Sequence, residues 1–226
     1  MDNDTNAISD FRQLALADVE PAARVISQAF VDDPLCTFML PFRTTRVKTL
    51  YKFFRAYGEV NIKNGRGFGA GEPLCGVAFW KSPVQSDLSI SVKALAHFLP
   101  LLFTWYPIGY FRAKAILKMI DALHGKHAAA PHYYLDNIGV LPSARGKGVS
   151  SKLIRPVLEK ADLEKAIVYT DTATRANVAL YEHFSFRCVE ESPVAGTGVT
   201  VWALLRPVQE KLSGSSQGDK NAQTSH

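Results

Sequence analysis

The sequence predicts a mixed α/β domain built on one central sheet, and three observations carry that reading. Short strand-like runs in the first eighty or so residues are joined by tight turns, as in hairpins; from Tyr133 onward, strand and helix patterns alternate as β-α-β-α-β; and a pair of glycines sits where one of those strands hands over to a helix. At 226 residues and 47% hydrophobic, the chain can bury a substantial core and reads as one domain over residues 11–206.

Phe11 to Leu16 alternates as a short strand, Asp18 is placed as a helix N-cap, and Pro21 falls in the first turn. The helix presents Ala22, Val25, Ile26, Ala29 and Phe30 at spacings of three and four, and the Asp32-Asp33-Pro34 run breaks it. A second helix, Arg43 to Lys63, carries Val47, Leu50, Phe54, Tyr57 and Val60 on one stripe and stops at Asn64-Gly65. Gly67 to Ala70 and Leu74 to Lys81 flank a Gly-Glu-Pro turn and read as an antiparallel hairpin. Residues 87–125 are helical in pattern and unusually aromatic. Then come a strand (Tyr133 to Val140), a loop, a helix (Gly148 to Asp162), a strand (Ala166 to Thr170), a helix (Asn177 to Phe184) and a final strand pair (Arg187 to Glu191, Val199 to Leu205). There is no internal repeat.

Composition narrows the function. Residues 1–10 and 207–226 are polar, with almost nothing to bury, and are expected to be disordered. No secretory signal is evident, so a cytoplasmic location is the expectation. Cys36, Cys75 and Cys188 lie far apart, which argues against a disulfide framework and against a cysteine zinc site. The net charge of +5 suits an anionic ligand, but the basic residues are dispersed and no groove-reading motif accompanies them, so no nucleic-acid partner is expected. The apolar stretch from Ala94 to Phe111 is interrupted by His97, Pro100, Thr104 and Pro107, so no membrane span is expected. His124, His127 and His132 are close in sequence, but no carboxylate spacing completes a metal site, and none is expected.

The most informative stretch is LDNIGVLPSARGKGVSSKL, residues 135–153. The first N–H groups of a helix lack internal partners and carry the positive end of its dipole. They can wrap an anion if no side chain intervenes. Arg145, Gly146, Lys147, Gly148, Val149 and Ser150 supply glycines for close approach and two cations. The run is not a dinucleotide fingerprint, because the third glycine is missing, nor a P-loop, because the GK[ST] ending is absent. A plain tight turn is the other reading of the same residues. The helix after the loop buries Val149, Leu153, Ile154, Val157, Leu158 and Ala161 on one face and contains Pro156, which removes a backbone hydrogen bond and bends it.

The Arg-x-x-Gly-x-Ser run at Arg145 to Ser150, following the strand YYLDNIGVLP, resembles the acetyl-CoA pyrophosphate loop of the GNAT superfamily of N-acyltransferases. Asn177-Val-Ala-Leu-Tyr181-Glu-His-Phe-Ser185-Phe186 is similar to that family's second signature. Over residues 11–206, and most of all over 133–186, the chain resembles the puromycin N-acetyltransferases: FRQLALADVEPAARVISQAF, VAFWKSP, Pro156 and VTVWALLRP all have counterparts there. Ser150 and Ser185 depart from the pattern, standing where the family has Gly or Ala, and Gly. The resemblance implies a central, mostly antiparallel twisted sheet with helices on both faces, and acetyl-CoA held in the splay between the two central strands. It implies no metal. Residues 84–131 are then a helical segment on the acceptor side.

The chemistry implied is direct acyl transfer. An aliphatic amine near pKa 10 must lose a proton before it attacks, and the departing thiolate needs one. Asp136 and Asp171 are equal candidates for the base; each also reads as a solvated or capping aspartate. Tyr181, at the family's tyrosine position, is the candidate acid; its other reading is an amphipathic tyrosine at a helix edge. Asn177 would hold the pantetheine arm or cap its helix. The strand N–H groups at Ile138 and Val140 would receive pantetheine and the thioester oxygen. Phe30, Asp32, Asp33 and Trp105, with Phe103 and Tyr106, are expected to line the acceptor pocket. The function expected is acetyl transfer from acetyl-CoA to the amine of a small molecule, antibiotic-like or a secondary metabolite. The alternatives are a protein or peptide N-acetyltransferase and a catalytically silent acyl-CoA-binding regulatory protein.

Overall fold

The computed structural model describes residues 11–84, 107–128 and 131–209. Its strands are β1 (Arg12–Gln13), β2 (Gly67–Ala70), β3 (Gly76–Lys81), β4 (His132–Val140), β5 (Ile167–Thr172), β6 (Arg187–Val194) and β7 (Val199–Arg206). They form a single sheet in the order β1-β2-β3-β4-β5-β7-β6. β4 and β5 are parallel, and every other neighbouring pair is antiparallel. The expected mixed α/β sheet, mostly antiparallel, is therefore observed.

Alternation along the strands sends side chains to two cores. On one face, Val77 and Phe79 of β3 pack beneath α1 (Val19–Ala29) and α3 (Arg43–Lys63). Next to them α2 (Pro34–Met39) packs on α4 (Pro107–His127), which lies over β6 and β7. On the other face, Ala78 and Trp80 of β3, with Leu135, Val168 and Leu204, meet α5 (Val149–Leu163) and the inner side of α6 (Arg175–His183). Gly139 of β4 lets α1 come close, because a Cβ there would stand 2.8 Å from Ala29 Cβ and 3.2 Å from Ile26 Cα.

Several expected elements differ in extent, each for a local reason. The first strand covers two residues rather than six. The Asp18 carboxylate binds the Arg12 guanidinium at 2.7 and 2.8 Å and the Ala15 N–H at 2.8 Å, folding the chain into a 3-10 turn at Leu16–Asp18. Asp18 stands at the N-cap position of α1 without capping it through its side chain. The Asp-Asp-Pro run does end α1, but it also starts α2, which was not expected: the Asp33 carboxylate accepts the N–H groups of Leu35 (2.9 Å) and Cys36 (3.1 Å), with Pro34 in the first position. α6 begins at Arg175, two residues before the expected Asn177, with Thr174 at its N-cap. Pro156 lies inside α5 as expected, and the Trp80 indole N–H donates to the Leu153 carbonyl three residues before it at 3.3 Å. The expected disordered start, nearly all of the tail, and Phe103, Trp105 and Tyr106 lie outside the described residues.

The end of α6 explains how Ser185 is tolerated. Ser185 has φ 67°, the left-handed region that glycine favours. Its N–H donates to the Glu182 carbonyl at 2.9 Å, and the Phe186 N–H donates to the Tyr181 carbonyl at 3.1 Å. The rings of Tyr181 and Phe186 lie 5.6 Å apart. Two reversed backbone bonds plus an apolar contact across them form a Schellman C-cap, which holds Tyr181 in place through the residue after the turn. Ser185→Gly keeps this geometry and removes the left-handed penalty of a Cβ. It is expected to raise unfolding free energy by about 0.5–1 kcal/mol, read from urea denaturation midpoints at an unchanged slope.

Candidate active site

The site is set by how β4 meets its two neighbours. Towards β3, it pairs along nearly its whole length, with Leu135 opposite Trp80 and Asn137 opposite Phe79. Asp136 is thus an extra residue, a bulge that turns it and Asn137 to the same side. Towards β5, pairing runs only from His132↔Ile167 to Leu135↔Thr170. The Thr170 hydroxyl donates to the Leu135 carbonyl at 3.0 Å and closes the fork. Beyond it, β4 continues without a β5 partner. The Leu141 N–H donates to Cys75 of the hairpin at 2.9 Å, so by strand alternation the N–H groups of Ile138 and Val140 point the other way, into the gap.

Beyond the gap lies the glycine loop. Gly146 and Gly148 both have φ 75°, and a Cβ at either would meet nothing within 4 Å. Here glycine is required by backbone conformation, and the space above the loop stays open. Gly148 is the N-cap of α5, whose first N–H groups end beside a recess of about 180 Å³ lined by Val140, Arg145, Gly146, Gly148, Val149 and Ser150, among others. Arg145 also reaches the Ala29 carbonyl at the C-terminus of α1 (3.5 Å) and lines a second recess of about 310 Å³ with Asp32 and Arg43.

Asp136 and Asp171 come together on the sheet face that carries α1 to α4. Asp136 accepts a hydrogen bond from the Tyr57 hydroxyl and pairs with Lys81 Nζ at 3.4 Å; the Asn137 amide donates to the same Tyr57 oxygen at 3.3 Å. Asp171 accepts from the Tyr134 hydroxyl at 2.9 Å. Burial pushes the Asp171 carboxyl up to about 7, helped by the negative charge of Asp136 and opposed by Tyr134 and Lys81. Tyr181 is buried on the opposite face, in the core beneath α5, with Thr170 of the fork beside it. Burial raises its phenol, and Asp171 adds to the rise.

The remaining expected site residues are more dispersed. The Asn177 amide donates to the Thr172 hydroxyl at 3.1 Å, just past the fork, and Thr174, not Asn177, is the N-cap. Phe30 packs its ring 5.2 Å from Phe54. Asp32 is exposed and pairs with Arg43 and Arg46, and the Asp33 carboxylate caps α2. Tyr57, Lys81, Tyr134 and Thr170 were not expected as site residues. Lys81 carried the one available signal, a cation ending an otherwise apolar strand.

A GNAT family model, described as an acetyltransferase, matches residues 86–186. Residues 86–186, a little under half of the chain, are thus similar to GNAT-family acetyltransferases. The chain is 24% identical over 196 residues to an uncharacterized N-acetyltransferase of Schizosaccharomyces pombe, covering 77% of this chain and 73% of that one. Among solved structures it resembles a Corynebacterium glutamicum protein described as histone acetyltransferase HPA2 and related acetyltransferase, at TM-score 0.61, 21% identity and coverage of 91% and 98% of the two chains. It also resembles the Drosophila melanogaster polyamine N-acetyltransferase that forms N-acetylagmatine, at TM-score 0.58, 12% identity and coverage of 87% and 98%. These structural likenesses establish the fold. No group of three or more potential metal ligands occurs among the described residues, and no described helix is long and apolar enough to cross a membrane.

The raised Asp171 carboxyl has a consequence for stability. Its ordinary value of 3.8 holds in the unfolded chain and about 7 in the folded one, so between those values the folded state keeps a proton that the unfolded state has lost. Its contribution to stability is full below the lower value and is lost as pH rises through that window. Asp171→Asn is expected to be more stable than the parent at pH 8, by about 2–4 kcal/mol, with the difference shrinking towards pH 4; chemical denaturation across that range measures it.

Proposed function

We propose that the acetyltransferase moves an acetyl group from acetyl-CoA to the amine of a small molecule, an antibiotic-like compound or secondary metabolite, by direct attack in a ternary complex. The observation that carries the reading is Asp171: a carboxyl near neutrality beside an open fork whose far side holds a buried tyrosine. A base with a pKa close to the working pH combines a useful ionised fraction with the capacity to accept a proton. Asp136 is the less suited of the two aspartates, because Tyr57 and Lys81 already bind it.

The residues present fit acetyl-CoA. Gly146, Gly148 and the N-terminus of α5 leave room for the pyrophosphate, with Arg145 and Lys147 adding positive charge and Ser150 a hydroxyl. The N–H groups of Ile138 and Val140 face the gap where pantetheine would lie, and Asn177 stands beside it. When bound, acetyl-CoA supplies an acyl group activated as a thioester. Asp171 takes the proton of the attacking amine as nitrogen bonds to the carbonyl carbon. The strand N–H groups bind the oxygen on which charge develops. Tyr181 protonates the sulfur as the carbon–sulfur bond breaks. The Drosophila neighbour acts on a polyamine, which supports a small amine as acceptor.

The test is thiol release from acetyl-CoA with puromycin, polyamines, aromatic amines and a lysine peptide as acceptors. Amine-dependent release is expected, with kcat/KM rising as pH passes through about 7. Asp171→Asn should lower kcat by about 10²–10³-fold and flatten that profile, and Tyr181→Phe should lower kcat by about 10²-fold with little change in KM for acetyl-CoA. Turnover of the peptide alone would move the reading to protein acetylation. Acetyl-CoA binding without any turnover would favour a silent binding protein.

A further inference from the structure

Lys81 has no part in the proton transfers proposed for Asp171 and Tyr181, yet it touches both aspartate networks. It is the last residue of β3, pairs in register with Tyr134, and lies on the same face as Phe79, beneath the helices that cover the two aspartates. Its ammonium stands 3.4 Å from Asp136 Oδ2 and 5.1 Å from the centroid of the Tyr134 ring. The hydroxyl of that ring donates to Asp171. Lys81 is thus held by one carboxylate and lies over the aromatic side chain that orients the other.

We propose that Lys81 is a positioning and specificity residue of the transfer site: it anchors Asp136, orders Tyr134 against Asp171, and sets a fixed positive charge beside the base, so that the site takes amines with one cationic centre and an uncharged body. The proposal deepens the small-amine reading and rests on it. An acceptor reaches the site as an ammonium ion that pairs with ionised Asp171, loses one proton to solvent, and gives the second to Asp171 as the nitrogen attacks. With Asp136 matched by Lys81, Asp171 is left to balance that single charge. A second ammonium on a short linker meets Lys81 instead of a carboxylate, a repulsion between like charges. Among the described residues, the charged and titratable groups bearing on Asp171 from the packed elements are Tyr134 and Asp136 on β4, Lys81 on β3, Asp121 on α4 and Tyr181 on α6, with Tyr169 on its own strand. Lys81 is the cation among them, so its removal moves the base in one direction.

The experiment compares para-ethylbenzylamine with para-xylylenediamine, which share a shape and differ by a methyl group against an ammonium, in wild type, Lys81→Met and Lys81→Arg. Wild type is expected to favour the monoamine by about tenfold or more in kcat/KM. Lys81→Met should erase about tenfold of that preference, mainly through a lower KM for the diamine, and shift the acid limb of the monoamine profile to higher pH. Lys81→Arg, which keeps the charge, should retain both properties. A carboxyl carbon NMR titration of Asp171 in the same proteins reads the electrostatic part without turnover, and should move up in Lys81→Met alone. An unchanged amine preference, or an unmoved Asp171 titration in Lys81→Met, overturns the proposal. Failure of wild type to acetylate either amine overturns the single-cation acceptor class, while turnover of another amine of the wider panel keeps the small-amine reading and the titration still decides whether Lys81 acts on the base.

Discussion

The proposed transfer site depends on a four-residue ladder. β4 and β5 are hydrogen-bonded only from His132 to Leu135 and from Ile167 to Thr170, after which one strand stays with β3 and the other with β7. A parallel pair that parts in mid-sheet leaves strand N–H and carbonyl groups without ladder partners, which is costly unless something else binds them. Two local devices sustain the parting. The bulge at Asp136 bends and twists β4, and the Thr170 hydroxyl takes the Leu135 carbonyl at the point of separation. The gap is then bordered by backbone donors on one strand and by the glycine loop at its end, an arrangement that strand alternation dictates once the fork is placed.

The fork also divides the chemistry between two faces of one sheet. Residues 169 and 171 of β5 face the α1 to α4 side, whereas residues 168 and 170 face α5 and α6. A period of two therefore puts Asp171 and Thr170, the residue beside Tyr181, next to each other along the chain but on opposite sides of the gap. An acyl group lying in the gap would have a proton acceptor on one side and a proton donor on the other, as transfer from an amine to a thiolate requires. The two groups also interact: the charge of Asp171 adds to the rise in the Tyr181 phenol, keeping that phenol protonated, which is the form in which it can act as an acid.

Much of this was legible in the sequence, and the part that was not has a common cause. α3, the glycine loop, Pro156 within α5 and the alternating second half could all be read because each rests on local periodicity or on a residue with restricted backbone geometry. α2 was hidden because Asp-Asp-Pro is as good a start signal as a stop signal, and the choice was made by the Asp33 carboxylate, which caps the N–H groups of Leu35 and Cys36. The bulge was hidden because HYYLDNIGV alternates acceptably in either register, and only pairing with Trp80 and Phe79 reveals the extra residue. Tyr57 looked like one more apolar contact on a helical stripe. Its hydroxyl meets Asp136, distant in sequence, and no local pattern encodes that.

The same features that would make the proposed site reactive weaken the fold, and their placement shows how both are accommodated. The Asp171 carboxyl is buried with, among the described residues, one hydrogen-bond donor, Tyr134, and close to a second carboxylate. Ser185 holds a left-handed conformation that a glycine would adopt more easily. Both lie next to parts of the structure that cannot readily relax: Asp171 in a strand paired on its β7 side, with Tyr134 and Tyr169 packed beside it, and Ser185 in a turn fixed by two backbone bonds and by Phe186 in the core. A strained or desolvated group persists only where its surroundings over-determine it. Here those surroundings are also what aim the group: the strand directs Asp171 toward the fork, and the turn carries Phe186 against Tyr181. Rigidity in the sheet and in the α6 cap is therefore the condition under which a neutral-range carboxyl and a buried phenol can be kept at opposite sides of one gap.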